Sequence, residues 1–300
     1  MVKVFFLKGI YEVMDNQNKW RIEFAKEIVS EVSNEEDLEA IFIGGSVSRG
    51  VADKYSDLEI CFVWKNKISD EKRKSLISQM NGENFTEFKA WKDQDVVEDN
   101  IYINGFQVDV WHNTVEGNQR DIDDVLKNLS TNLSKLNFLY TIQHSIPLLD
   151  SPTLEAWKTS ITNYPEELGL KLTKEHLSVF GSGNYHIHIE RKDWAIFYGL
   201  ISGYQKRIFL ALLGINKMYY PTYKRMDKAF SEMEAIPERI NEAFEKMYQS
   251  SPYEAWEELS RLMKETALLG EKVYGEINAS QIIERISSKR DVQEKKPNLS

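Results

Sequence analysis

Apolar positions along the chain follow two different periods. Trp20, Phe24, Ile28, Val29 and Val32 recur mostly at three- and four-residue steps, which predicts one face of a helix, and Asn34 opens a polar break. Leu38 to Ile43 is a short apolar run that ends in Gly44-Gly45-Ser46, and Leu58 to Trp64 is a second run rich in Ile, Phe and Val. Both predict strands, joined by a compact glycine turn with one or two turns of helix. Glu71 to Met80 predicts a helix. Asp99 to His112 alternates on either side of Asn104-Gly105, the dipeptide of a two-residue hairpin.

From Asp121 onward the period becomes helical. Ile122, Val125, Leu126, Leu129, Leu133 and Leu136 form one stripe, the series from Trp194 through Phe197, Ile201, Tyr204 and Ile208 to Leu212 a second, and Trp256, Leu259 and Met263 a third. Strand patterns nearly vanish there. The expected organisation is α+β: a mixed sheet with helices over residues 1–117, a helical domain over 118–286, and a tail over 287–300 whose charge clusters predict disorder. The aromatic stripe that begins at Trp194 reads as core.

Composition narrows the function. The chain of 300 residues is 42% hydrophobic, enough for two domains, and carries 47 acidic against 38 basic residues, a net charge of −9. That balance disfavours a nucleic-acid substrate and suits a small, cationic partner, although ordinary solubility explains it as well. No apolar run reaches the roughly 20 residues of a membrane helix, and Met1 to Lys8 lacks the pattern of a secretory leader, so a soluble, cytoplasmic protein is expected. A single cysteine, Cys61, excludes an intramolecular disulfide and cysteine-rich zinc sites. Nothing in the sequence fixes the oligomeric state.

The candidate chemistry lies on the two strands. After Gly44-Gly45-Ser46 and ten intervening residues come Asp57-Leu58-Glu59. Alternation puts Asp57, Glu59 and Cys61 on one face and Leu58, Ile60 and Phe62 in the core. Two such carboxylates repel unless a cation lies between them, and Mg²⁺ prefers oxygen ligands. On the hairpin, Phe106, Val108 and Val110 take one face and Gln107, Asp109 and Trp111 the other. If that strand pairs beside the first, Asp57, Glu59 and Asp109 become a three-carboxylate metal site suited to in-line phosphoryl displacement. Backbone N–H groups of Gly44 and Gly45 with the Ser46 hydroxyl would hold triphosphate oxygens, and Arg49 would neutralise the departing pyrophosphate.

These residues resemble the nucleotidyltransferase superfamily, whose signature is Gly-Gly/Ser, about ten residues, Asp-x-Asp/Glu, then a later strand carboxylate. Within it the chain looks most like antibiotic nucleotidyltransferases of the kanamycin and lincosamide kind, through Tyr55-Ser56-Asp57-Leu58-Glu59, Gln107-Val108-Asp109-Val110 and Ser145-Ile146-Pro147-Leu148-Leu149-Asp150-Ser151. The third carboxylate departs from the kanamycin enzymes, Asp109 standing where they have Glu. The resemblance implies ATP and Mg²⁺ as cofactors and a hydroxyl of a small molecule, aminoglycoside- or lincosamide-like, as acceptor. It also implies a general base on the helical domain, where Glu175 is the nearest match and Glu190 the runner-up. Rival readings are a protein or tRNA acceptor, and a nucleotide-binding sensor without catalysis.

Two further motifs carry weaker readings. His186 and His188 alternate with Tyr185, Ile187 and Ile189, which on an extended segment puts both imidazoles on one side, with no third ligand near in sequence. Pro221 suits the first position of a helix. Lys224 would then sit in the first turn against the helix dipole, which hints at a triphosphate contact as much as at a solvated side chain.

Overall fold

Two runs of alternating residues become adjacent parallel strands at the centre of a mixed sheet. In the computed structural model of the chain the structure describes residues 16–88 and 96–290. The elements in order are α1 (Asn16–Ser30), β1 (Leu38–Ile43), α2 (Gly45–Ser48), β2 (Leu58–Trp64), α3 (Asp70–Gln79), β3 (Glu83–Phe88), β4 (Val97–Ile103) and β5 (Phe106–Thr114). There follow α4 (Val115–Leu126), α5 (Leu133–His144), β6 (Ile146–Pro147), α6 (Pro152–Ile161), α7 (Glu166–Leu177), α8 (Tyr185–Glu190) and α9 (Trp194–Ile215). The chain continues through α10 (Met226–Ser231), α11 (Ile240–Lys246), α12 (Pro252–Val273) and α13 (Ala279–Ser287). Met1 to Lys8 and the expected tail from residue 291 on lie outside the described residues.

The strands lie in the order β3-β4-β5-β2-β1-β6, antiparallel except for the β2–β5 pair. This is the expected α+β class. The chain divides into two compact units, residues 1–128 with 138–163, and residues 129–137 with 164–300. The sheet-bearing unit thus runs beyond residue 117 and takes in α4, which packs on β5 and on α6.

One face of the sheet forms the core of the first unit. Leu58, Ile60, Phe62, Val108 and Val110, all buried, pack with Ile22, Ala25 and Val29 of α1 and Leu76 and Ile77 of α3. The β4–β5 hairpin turns at Asn104 and Gly105, both with positive φ, as a two-residue turn requires. Within this core a polar chain crosses from α3 to β2. Arg73 pairs with Asp99 and, at 2.9 Å, with Asp70; Asp99 lies 3.1 Å from His112 Nε2; and Trp64 Nε1 donates to His112 Nδ1 at 3.1 Å. Arg73, Asp99, His112 and Trp64 are at most 2% exposed. Because Nδ1 accepts from Trp64, the imidazole holds its proton on Nε2, and burial pushes its pKa down despite Asp99.

The second unit is helical, built on the contact of α9 with α7 and α12. Its helices approach closely where side chains are small. A Cβ at Gly214 would lie 2.4 Å from Thr173 Oγ1 and 2.6 Å from the Gly169 carbonyl oxygen. Thr173 Oγ1 donates to the Gly169 carbonyl at 2.7 Å and Tyr274 Oη to the Gly214 carbonyl at 2.8 Å, so the polar groups exposed by this approach are satisfied.

Three sequence expectations are corrected here. The stripe from Ile122 to Leu136 is two helices, α4 and α5, because Leu129 adopts φ +53° and breaks the run. His186 and His188 lie on helix α8, not on an extended segment, so at about 100° per residue they point to well-separated directions. Helix α10 starts only at Met226, with Arg225 at φ +56° as its cap, so Lys224 precedes the helix and the dipole argument for it lapses.

Candidate functional site

Strand β2 pairs with β5 in parallel register, Leu58 opposite Val108 and Glu59 opposite Asp109. Leu58, Ile60, Val108 and Val110 are fully buried on the core face, so Glu59 and Asp109 stand side by side on the other face. Asp57, half-buried, ends the loop that enters β2. The sequence thus places three carboxylates at one end of two neighbouring strands.

The glycine turn is fastened to the same place. Gly44 N–H donates to the Glu59 carbonyl at 3.0 Å, and the next residue begins the single helical turn α2. Gly45 has φ +61°, and a Cβ there would fall 2.3 Å from Glu59 Oε1, so the Glu59 carboxylate lies over the bare Cα. Glycine at 45 thus suits the backbone conformation and leaves room for the carboxylate, which a side chain there would push aside. A Cβ at Gly44 would meet Thr141 Cγ2 at 3.0 Å. Ser46 is half-buried on the same turn. Arg49 Nε donates to the Gly45 carbonyl at 2.9 Å, and its guanidinium carbon is 5.9 Å from the Tyr140 ring centroid. Part of Arg49 therefore holds the turn.

Asp109 is held by amides. Its Oδ1 accepts from Asn100 Nδ2 at 2.6 Å and from Gln107 Nε2 at 3.1 Å, and Asn100 Nδ2 also reaches Glu98 Oε1 at 3.1 Å. Glu98 is a fourth carboxylate, absent from the sequence reading. Burial raises its pKa, the Asn100 amide opposes that rise, and the charges of Asp109, Asp57 and Asp99 add to it. A signal for it existed: counting outward from the two-residue turn at Asn104-Gly105 places Asn100 opposite Asp109 and Glu98 opposite Trp111, as observed. Cys61, two residues beyond Glu59, is buried, and burial with the nearby Glu59 charge pushes its thiol pKa far up. It is therefore a poor nucleophile.

The donor set suits Mg²⁺ in kind, being all oxygen, and the strand register sets two of its carriers adjacent. Among the described residues, no three His, Cys, Asp or Glu side chains are already gathered as a metal-holding group. The Glu59 carboxylate over Gly45 and the amide-bound Asp109 are the side chains that a cation would have to draw together.

The remaining candidates belong to the second unit. Glu175 is exposed on α7 and its Oε2 accepts from Thr131 Oγ1 at 2.8 Å; Glu190 is exposed at the end of α8. Lys224 is exposed, its N–H donating to Thr222 Oγ1 at 3.2 Å. Among the described residues no helix is long and apolar enough to cross a membrane.

Comparison with known proteins gives a family of undefined role and distant structural likenesses. Residues 132–226 match a family described as a domain of unknown function, DUF4037. No curated protein sequence matches the chain. Among solved structures, it is similar to a nucleotidyltransferase-like protein from Exiguobacterium sibiricum, with 11% identity and a TM-score of 0.38 over 84% of this chain and 77% of that one. It is also similar to the Cid1 poly(U) polymerase in complex with its short product ApU, with 17% identity and a TM-score of 0.26 over 45% of this chain and 44% of that one. For a Cid1 mutant bound to MgATP the values are 16% identity and a TM-score of 0.28, over 56% of this chain and 55% of that one. The chain spans about half the length of these Cid1 structures.

Proposed function

We propose that this protein is a metal-dependent nucleotidyltransferase that moves adenylate from ATP to a hydroxyl of a small molecule. The observation that carries this reading is the in-register pairing of Glu59 with Asp109, with Asp57 ahead of it and the Gly44-Gly45 turn bonded to the same strand. Asp57, Glu59 and Asp109 would hold Mg²⁺. When bound, the ion supplies Lewis-acid activation of the α-phosphate and neutralises charge on the polyphosphate.

The chain's own groups do the rest. The Gly44 N–H is committed to the Glu59 carbonyl, so the Gly45 N–H and the Ser46 hydroxyl are left to bind the β and γ phosphates, and Arg49, fixed beside them on the Gly45 carbonyl, meets the leaving group. The acceptor oxygen attacks the α-phosphorus, the bond to the bridging oxygen breaks, and pyrophosphate leaves with the electron pair. The acceptor proton passes to a carboxylate, for which Glu175 is the candidate. Asn100 and Gln107 fix Asp109 through its Oδ1.

The net charge of −9 favours a small, cationic acceptor over a polyanion. The test is calorimetry of ATP with and without Mg²⁺, followed by pyrophosphate release with aminoglycosides, lincosamides, simple sugars and a short RNA. We expect Mg²⁺-dependent ATP binding and a mass gain of one adenylate on a small acceptor. Transfer to RNA alone would keep the chemistry and overturn the acceptor. ATP binding with no pyrophosphate release from any acceptor would leave a sensor.

A further inference from the structure

The loop that delivers Asp57 is clamped from beneath by two buried polar residues of α1. Arg21 is 1% exposed, and its Nη2 donates to two loop carbonyls, those of Asp53 at 2.9 Å and Ser56 at 2.7 Å. Its Nη1 is held by the Gln17 carbonyl at 2.8 Å and by Gln17 Oε1 at 2.9 Å. The guanidinium carbon lies 4.3 Å from the Trp20 ring centroid and 5.3 Å from that of Phe106, so the fork is fixed by aromatic faces. Asn18, fully buried one turn away, accepts the Ala52 N–H at 3.1 Å. Inside the loop, Asp53 N–H donates to Ser56 Oγ at 2.9 Å and Tyr55 N–H to Asp53 Oδ1 at 2.9 Å. Burial lowers the Arg21 pKa, and the charges of Asp53 and Asp57 oppose that shift.

Three features set this apart from ordinary packing. A buried charge is costly unless it is paired and hydrogen-bonded, and an apolar residue at position 21 would extend the Ile22–Ala25–Val29 core without that cost. The fork grips the residue immediately before Asp57, and the charge it brings lies in the field of Asp57. A planar guanidinium that gives Nη2 to two loop carbonyls while its Nη1 is held by Gln17 joins the loop to α1 in a way that a single lysine ammonium cannot reproduce.

We infer that Arg21 is a positioning residue for Asp57: it locks the 53–56 loop through the two carbonyls, so that the Asp57 carboxylate is presented for the cation at the end of β2. The inference rests on the nucleotidyltransferase reading, and two measurements on Arg21→Lys in the full chain separate its failure from the failure of that reading. Amide hydrogen exchange reads the clamp alone. Exchange over residues 52–58 should quicken about tenfold or more, while α1 and β5 keep their protection. Unchanged exchange at 52–58 overturns the inference, and so does a loss of protection spread through the first unit, which is what a merely structural role predicts.

Calorimetry of ATP against a Mg²⁺ series reads the site. The Mg²⁺ concentration for half-maximal ATP binding should rise about 10–100-fold, the range for loss of a partner that orients a metal ligand, with metal-free ATP binding unchanged. A local rise in exchange with an unaltered Mg²⁺ series would overturn the link to Asp57. If wild-type ATP binding ignores Mg²⁺, the nucleotidyltransferase reading falls and the link to the cation falls with it, whatever the exchange result says of the clamp.

Discussion

Among the described residues, the first unit buries charge, whereas the second buries almost none. Arg21, Arg73, Asp99 and His112 are all inside the first unit and tie loops and strands together: Arg21 holds the loop before β2, and the Arg73–Asp99–His112 chain links α3 with β4 and β5. Among the described residues of the second unit the buried polar side chains are Thr173, His176, Ser182, Gln205 and Thr266, and the close approach of helices is made by Gly169 and Gly214. Buried ion pairs are weak sources of stability, but fixed geometry is where they are of use. The unit that carries the carboxylates is the one that spends desolvation on holding its backbone in place.

The largest effect should come from the carboxylates themselves. Asp57→Asn should reduce adenylate transfer by on the order of 10³-fold or more, since it removes a metal-holding charge while the Arg21 clamp on the preceding carbonyls stays intact. The melting temperature should move by no more than about 3 °C, the scale of a change near 1 kcal/mol in a chain of this size. Wild-type turnover in this variant at saturating Mg²⁺ and ATP would remove Asp57 from the site.

Glu175→Gln is the corresponding probe of the second unit. A positioned general base contributes roughly 10²–10⁴ to kcat, so turnover should fall by that range with ATP affinity unchanged. Normal turnover here together with a loss in Glu190→Gln would move the base to the end of α8. If neither variant changes kcat, acceptor activation belongs to the first unit alone.

Two glycines separate chemistry from packing. Gly214→Ala drives a methyl group against Thr173 Oγ1 and the Gly169 carbonyl, and overpacking of this kind costs about 1–3 kcal/mol. Nucleotide binding should not change. Gly45→Ala meets the end of a flexible side chain, the Glu59 carboxylate, and a positive φ, so the stability loss should be nearer about 1–2 kcal/mol. Displacing Glu59 should weaken Mg²⁺-dependent ATP binding markedly. Equal losses of nucleotide binding in the two variants would erase the distinction between the units.

What was legible in the sequence follows the same division. The alternation over 58–64 and 106–114 gave the correct faces, and Asn104-Gly105 gave the hairpin register, because both are local properties of a strand and a two-residue turn. The parallel β2–β5 register was only a condition, since parallel pairing depends on a distant crossover and leaves no local mark. Arg21 and Asn18 were invisible because they lie on the buried side of α1, where the stripe led instead to Trp20, which is 38% exposed. Their partners are backbone groups some thirty residues away, and no side-chain pattern announces a backbone acceptor. Strand β6 was missed for a similar reason: it is a two-residue edge pairing with β1 inside the Ser145–Ser151 segment. Lys224 shows the converse, where a proline suited to a helix start is followed by a turn.

The two units' buried imidazoles give a contrast that appears only as pH falls. His176 is 4% exposed; burial lowers its pKa to about 4, the Glu175 charge opposes the shift and Arg207, whose Nη1 donates to His176 Nδ1 at 3.0 Å, adds to it. A histidine held neutral in the folded state binds fewer protons than the unfolded chain below pH 6.5, so its contribution to stability declines as pH falls from there and levels off near pH 4. Between pH 7 and 5 the loss amounts to about 2 kcal/mol by linkage. His112 is shifted in the same direction, so its contribution to the first unit also declines below pH 6.5. Urea unfolding of His176→Gln at pH 7 and pH 5, read by probes in each unit, should show the acid sensitivity of the second unit reduced and that of the first unchanged. Retention of the full wild-type decline in the second unit would mean that His176 takes up no extra proton on unfolding, and the neutral, Arg207-bound imidazole would have to be abandoned.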